Sequence, residues 1–143
     1  MRLFLDANVL FTAVHNPRGK AAFVIEQGTA GHWEVLTSSF AVEEAQRNLG
    51  RKYPHSLDAL RDLMAGIQVV EHSPGLRFPE ILPAKDRPIF QAALACRATH
   101  LLTGDLKDFS TLFNRPEETF GVRIQTVADF LDNLLTAPVR TAK

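Results

Sequence analysis

Cysteine is almost missing from this sequence: Cys96 is the only one in 143 residues. A lone thiol forms no internal disulfide, so the chain must hold itself together by packing, and a reducing compartment is its expected setting. Long apolar runs are missing too. No stretch approaches the roughly 18 residues of a membrane span, and Asp6 breaks the only N-terminal stretch that resembles the apolar core of a signal peptide. The expectation is a soluble, cytoplasmic chain with no membrane attachment. A third absence is surplus charge: Lys+Arg and Asp+Glu are both 16, for a formal net charge of +0. Affinity for nucleic acid would then have to come from a local cluster of cations, since the chain as a whole attracts neither nucleic acid nor membrane. Histidine pairs are also lacking. His15, His32, His55, His72 and His100 include no His-x3-His spacing, which disfavours zinc.

What is present is a hydrophobic content of 45%, enough for one domain with a real core. That domain is expected over 1–137, with 138–143 as a frayed tail. Arg2-Leu3-Phe4-Leu5-Asp6-Ala7-Asn8-Val9-Leu10 is rich in Leu, Phe and Val without a helical period, and reads as a buried strand of a parallel sheet. Asn16-Pro17 and Gly19 punctuate a loop, a short helix follows over 20–27, and residues 33–37 form a second strand. Ser38-Ser39 can cap a helix reaching Leu49. A helix from Ser56, a short strand over 67–70 and a proline-marked loop over 73–83 come next. Asp86 and Pro88 open an alanine-rich helix. Leu101-Leu102 is a strand, 122–126 the last strand, and 127–135 the last helix. Strand and helix alternate throughout, which predicts an α/β fold with a parallel sheet.

Carboxylates recur at the junctions of this pattern. In open α/β sheets the carboxyl ends of the strands form the rim where ligands bind, so Asp6 is either a helix cap or part of a site. Glu44 borders the Ala41, Ala45 and Leu49 stripe; the plain reading of Glu43 and Glu44 is a pair complementing the helix dipole from the first turn. Asp86 is a natural N-cap whose carboxylate also points toward the sheet side. Asp105 follows Leu102-Thr103-Gly104 and repeats the logic of Asp6. Four acids at one rim repel, and a hard divalent cation resolves the conflict. Carboxylate oxygens without paired His or Cys suit Mg²⁺ or Mn²⁺. A metal held this way activates water toward a phosphorus centre, which is phosphodiester hydrolysis in outline.

Leu5-Asp6-Ala7-Asn8-Val9-Leu10, Glu44 before Ala45, Lys85-Asp86-Arg87-Pro88-Ile89, and Leu102-Thr103-Gly104-Asp105-Leu106-Lys107-Asp108-Phe109, taken in order, resemble a PIN domain of the small kind found in VapC-type toxins. The resemblance spans nearly the whole chain. It implies a three-layer α/β/α sandwich with a central parallel sheet and an Mg²⁺- or Mn²⁺-dependent endoribonuclease. Asp6, Glu44, Asp86 and Asp105 would be the metal-binding and catalytic quartet, with Glu43 as the other choice for the second acid. Asn8 and Thr103 would be supporting groups, and Asp108 a fifth acid. Partners implied are RNA as substrate, an antitoxin protein, and a second copy in a homodimer. Arg47 and Arg87 are the expected phosphate contacts, with Arg51, Lys52 and Lys107 also near the rim in sequence. No aromatic RNA-recognition signature tells which RNA is read. Three other readings compete. A haloacid-dehalogenase-like phosphatase would use Asp6 as nucleophile, but position 8 carries Asn where its general acid belongs. A receiver-like switch would need paired acids after the first strand. A PIN module that only binds partners would not need all four acids.

Overall fold

The computed structural model describes residues 1–136, and the tail expected over 138–143 lies outside the described residues. Leu3, Phe4 and Leu5 are fully buried in β1 (Arg2–Leu5), as a strand covered on both faces requires. The strand ends there, with Asp6 at its carboxyl end as expected, and the rest of the apolar run is helical. Asp6 adopts extended backbone and its Oδ1 accepts from Ala7 N at 2.7 Å, starting α1 (Ala7–His15). Ala7, Val9, Leu10 and Ala13 are then buried on one helical face. A strand buried on both sides and a helix with an apolar face both give Leu, Val and Ala in quick succession, and the capping carboxylate divides the run.

After α2 (Lys20–Thr29) come β2 (Glu34–Ser38) and α3 (Ser39–Lys52). Trp33 lies just before β2, donating from Nε1 to Val24 O at 2.9 Å and meeting Phe130 edge-on. Ser38 caps α3 as expected, its Oγ accepting from Ala41 N at 3.1 Å. Then follow α4 (Leu57–Met64), β3 (Gln68–Val70), α5 (Arg87–Ala95), β4 (His100–Leu102), α6 (Leu106–Phe109), β5 (Arg123–Gln125) and α7 (Val127–Thr136).

All pairings are parallel, in the order β3-β2-β1-β4-β5. From β1 the chain winds outward to β2 and β3, returns across the sheet through α5 to β4, and winds the other way to β5. Because such crossovers are right-handed, reversing direction moves the helices to the opposite face. The result is the expected three-layer α/β/α sandwich. Strands β1 and β4 are neighbours whose onward connections leave in opposite directions, so the switch point of the topology lies between their carboxyl ends. The connecting loop over 73–83 is fastened to α5. Buried Gln91 donates to Pro74 O at 3.1 Å and Leu76 O at 2.6 Å.

Candidate active site

Register delivers the first contact of the site. Leu5 pairs with Leu102, so one step further Asp6 faces Thr103, and Thr103 Oγ1 donates to Asp6 Oδ2 at 2.8 Å. The same Thr103 hydroxyl accepts from Asp105 N at 3.1 Å, joining the two strand-end acids. Asn8, on the first turn of α1, donates from Nδ2 toward Asp6 Oδ2 at 3.4 Å and toward Thr103 Oγ1 at 3.3 Å. Its Oδ1 accepts from Gly104 N at 2.7 Å. This geometry needs a carboxamide, with a donor at one end and an acceptor at the other, so position 8 is a bridge and not the acid of a phosphatase.

The other acids enter from both sides. Asp105 caps α6, its Oδ1 accepting from Asp108 N at 2.9 Å. Asp86 occupies the cap position of α5, but with helical backbone and no hydrogen bond from its side chain to the helix. The short turn Ala84–Asp86 already leads into the helix, so the cap expected of this aspartate is not made. Its carboxylate is buried against Asp105 and Asp108, and Oδ2 has no hydrogen-bond partner among the described residues. One oxygen each from Asp86, Asp105 and Asp108 lies within 4.8 Å of the others. Asp108 is in turn paired with Lys85, Nζ to Oδ2 at 2.8 Å.

Glu43 and Glu44 do not stand in the first turn of α3, so the expected dipole pair is not formed: Ser38 starts the helix earlier. Glu43 is exposed, whereas Glu44 is half-buried and close enough for its charge to act on Asp6. Arg47 is exposed on α3. Arg87 is occupied elsewhere: Nε donates to Leu82 O at 2.9 Å and the guanidinium lies 4.5 Å from the centre of the Phe78 ring. Its observed work is to hold the 73–83 loop. Lys85 also belongs to the site; its adjacency to Asp86 is the only signal of this in the sequence, since its partner, Asp108, lies more than twenty residues away.

Crowding and burial control the protonation of these groups. Asp6 is raised from 3.8 to about 6, chiefly by burial, with Glu44 and Asp105 adding to the rise and the bonds from Thr103 and Ala7 opposing it. Asp86 is raised to about 7, again first by burial, then by the Asp108 carboxylate, with Asp105 and Asp6 contributing. Asp108 is held low, mainly by its bond to the Lys85 ammonium, and Lys85 is correspondingly raised. A partnerless buried oxygen, three converging carboxylates and a donor set made only of oxygen fit a hard divalent cation such as Mg²⁺ or Mn²⁺.

No protein-family model matches the chain, and no curated protein does. Solved structures do. A chain of the crystal structure of VapBC2 from Rickettsia felis, bound to a DNA fragment from its promoter, superposes with a TM-score of 0.64 at 17% identity over 88% of this chain and 98% of that one. DNA-bound VapBC from Salmonella typhimurium gives 0.62 at 15% identity, covering 89% and 98%. A toxin-antitoxin complex from Klebsiella pneumoniae gives 0.57 at 20% identity, covering 84% and 94%. The chain has a PIN-like fold. The similarity runs over almost the full length of those chains. In this PIN-like fold the strand-end acids gather at the switch point of the sheet, the place where open α/β sheets in general bind ligands.

Proposed function

We propose that this chain is a divalent-metal-dependent endoribonuclease that hydrolyses RNA phosphodiester bonds at the β1/β4 rim. The observation that carries the reading is the buried, partnerless Oδ2 of Asp86 beside the Asp105 and Asp108 carboxylates. A proton or a cation must complete that atom, and at neutral pH both outcomes are within reach because Asp86 titrates at about 7. Asp6, Glu44, Asp86 and Asp105 are the proposed metal-holding and catalytic acids, and Asp108 the fifth. Mg²⁺ or Mn²⁺, when bound, would supply an activated water and stabilise the charge that develops on the phosphate.

The chain's own groups set the conditions. Thr103 and Asn8 hold the Asp6 carboxylate in one orientation, so little reorganisation is needed as charge develops. Lys85 neutralises Asp108 and lowers the repulsion an approaching phosphate meets. Arg47 is the proposed phosphate contact on the rim, since the Arg87 guanidinium is engaged with the loop. VapBC structures pair chains of this fold with partners, and we extend to this protein a toxin role with an antitoxin that covers the rim, a homodimeric assembly, and a cytoplasmic setting consistent with its single thiol. No helix among the described residues is long and apolar enough to cross a membrane.

The test is cleavage of a panel of RNAs and single-stranded DNAs with Mg²⁺, with Mn²⁺ and with chelator. RNA should be cut internally only with metal, and Asp6→Asn or Asp105→Asn should reduce the rate at least about a hundredfold, in line with loss of a group acting in the transition state. Undiminished cutting by either purified variant would reject the mechanism.

A further inference from the structure

A groove lies between α1 and the end of α3, reaching the acidic site through Asn8. It encloses about 490 Å³ and is lined by Asn8, Phe11, Thr12, Asn48, Arg51 and Lys52. Asn8 belongs to both places, since the same side chain bonds Asp6 and Gly104. From there α1 climbs roughly 10 Å to His15 at 1.5 Å per residue. The far end is basic and aromatic. Arg51 Nη2 donates to Asn48 Oδ1 at 2.6 Å, and Lys52 Nζ lies 5.7 Å from the centre of the Phe11 ring. Neither cation has an acidic partner among the described residues, unlike Arg2, Arg61, Lys85 and Arg115. Beside them His15 and Tyr53 stack at 4.6 Å, and Phe11 lies 6.1 Å from each.

Arg51 and Lys52 stand in the last turn of α3, where positive charge suits the helix dipole, and with no acidic partner among the described residues they keep donors to spare. A strip of aromatic faces next to such cations is the combination that single-stranded nucleic acid uses, phosphate on the cations and bases on the rings. An acidic peptide would answer to the charges but has no use for the stacked ring pair beside them. We infer that the groove between α1 and the end of α3 is the track for the RNA strand flanking the cut, with Arg51 and Lys52 binding its phosphates and the His15–Tyr53 pair stacking a base. This rests on the nuclease reading for the identity of the strand, and it adds which face of the molecule the strand follows.

The test is binding, kept apart from cutting. In the Asp6→Asn background with Mg²⁺, the affinity for a labelled single-stranded RNA of about a dozen nucleotides is measured by fluorescence anisotropy from roughly 50 to 200 mM KCl. Arg51→Ala/Lys52→Ala should weaken binding at least about tenfold and reduce the salt slope by about 1.4, at about 0.7 for each lost phosphate contact. Tyr53→Leu, which keeps an apolar group against the core, should weaken binding several-fold and leave the slope unchanged. Arg61→Ala/Arg115→Ala removes the same charge from exposed, ion-paired sites and should change affinity less than about twofold.

Equal losses in the two double variants would mean that only overall charge matters, and would overturn the track. So would wild-type affinity in the groove variant, or an acidic peptide that binds the groove while RNA binding stays intact. If the unmutated chain cuts no RNA with either metal yet the groove variant loses binding, the nuclease reading falls and the track stands. If it cuts RNA and the groove variant binds as tightly as before, the reverse holds.

Discussion

Asp6 and Asp86 are the two residues on which burial and function pull in opposite directions. Each is under a tenth exposed, and each holds its proton more tightly in the folded chain than in the unfolded one. The folded state therefore binds more protons than the unfolded state between about pH 4 and pH 7, and stability falls as pH rises through that window. For Asp6 the displacement from 3.8 to about 6 corresponds to about 3 kcal/mol. Thermal melts in chelator should thus show the metal-free protein losing stability from pH 5 to pH 8. Asp6→Asn should flatten that fall and melt above the unmutated chain at pH 8; an identical pH profile in the variant would count against a strained carboxylate. Thr103→Val tests the support of the same group. It keeps the volume of a fully buried side chain but leaves Asp6 Oδ2 and Asp105 N short of a partner. A loss of about 2 kcal/mol in urea unfolding at pH 8 is expected.

At the scale of elements, caps decide where the site residues stand. Ser38 starts α3 early enough to carry Glu44 beyond the first turn, where its charge reaches Asp6. Ser38→Ala should cost about 1 kcal/mol of stability, measured by denaturant unfolding. If the helix start drifts, metal affinity should fall with it. The same residues show how far the sequence could be read. Alternating apolar and helical patterns revealed the parallel sheet, and acids at successive strand ends marked the rim, because both follow from local spacing. Asp6 is legible as a strand-end acid, but the helix that follows it from Ala7 is not, since strand and helix interiors draw on the same residues when both are buried. Nor was the work of Arg87, whose partners Leu82 O and Phe78 come from a loop with no periodicity to read. Asp86 looked like a cap by its neighbour Pro88. Only the preceding turn, which already supplies the helix entry, frees its carboxylate for the other acids.

Over the whole molecule, a formal charge of +0 conceals an uneven distribution: acids crowd the β1/β4 rim, while Arg51 and Lys52 along the adjoining groove have no acidic partner among the described residues. A cation bound at the rim removes the repulsion that the fold otherwise carries there, and it binds the folded chain alone because the unfolded chain disperses its acids. Linkage then fixes the size of the effect. At a concentration one hundred times its dissociation constant, Mn²⁺ should stabilise the protein by about 2.7 kcal/mol, raising the melting temperature of a domain this size by roughly 10 °C. The gain should grow from pH 5 to pH 8, since below pH 7 the ion must displace the proton on Asp86. Asp86→Asn should abolish most of the gain while raising the metal-free melting temperature at pH 8, because it removes a buried charge and keeps the shape. Scanning calorimetry with and without Mn²⁺ distinguishes these outcomes. A metal-induced shift that is the same in the Asp86 variant would place the ion elsewhere and separate the acidic cluster from metal binding.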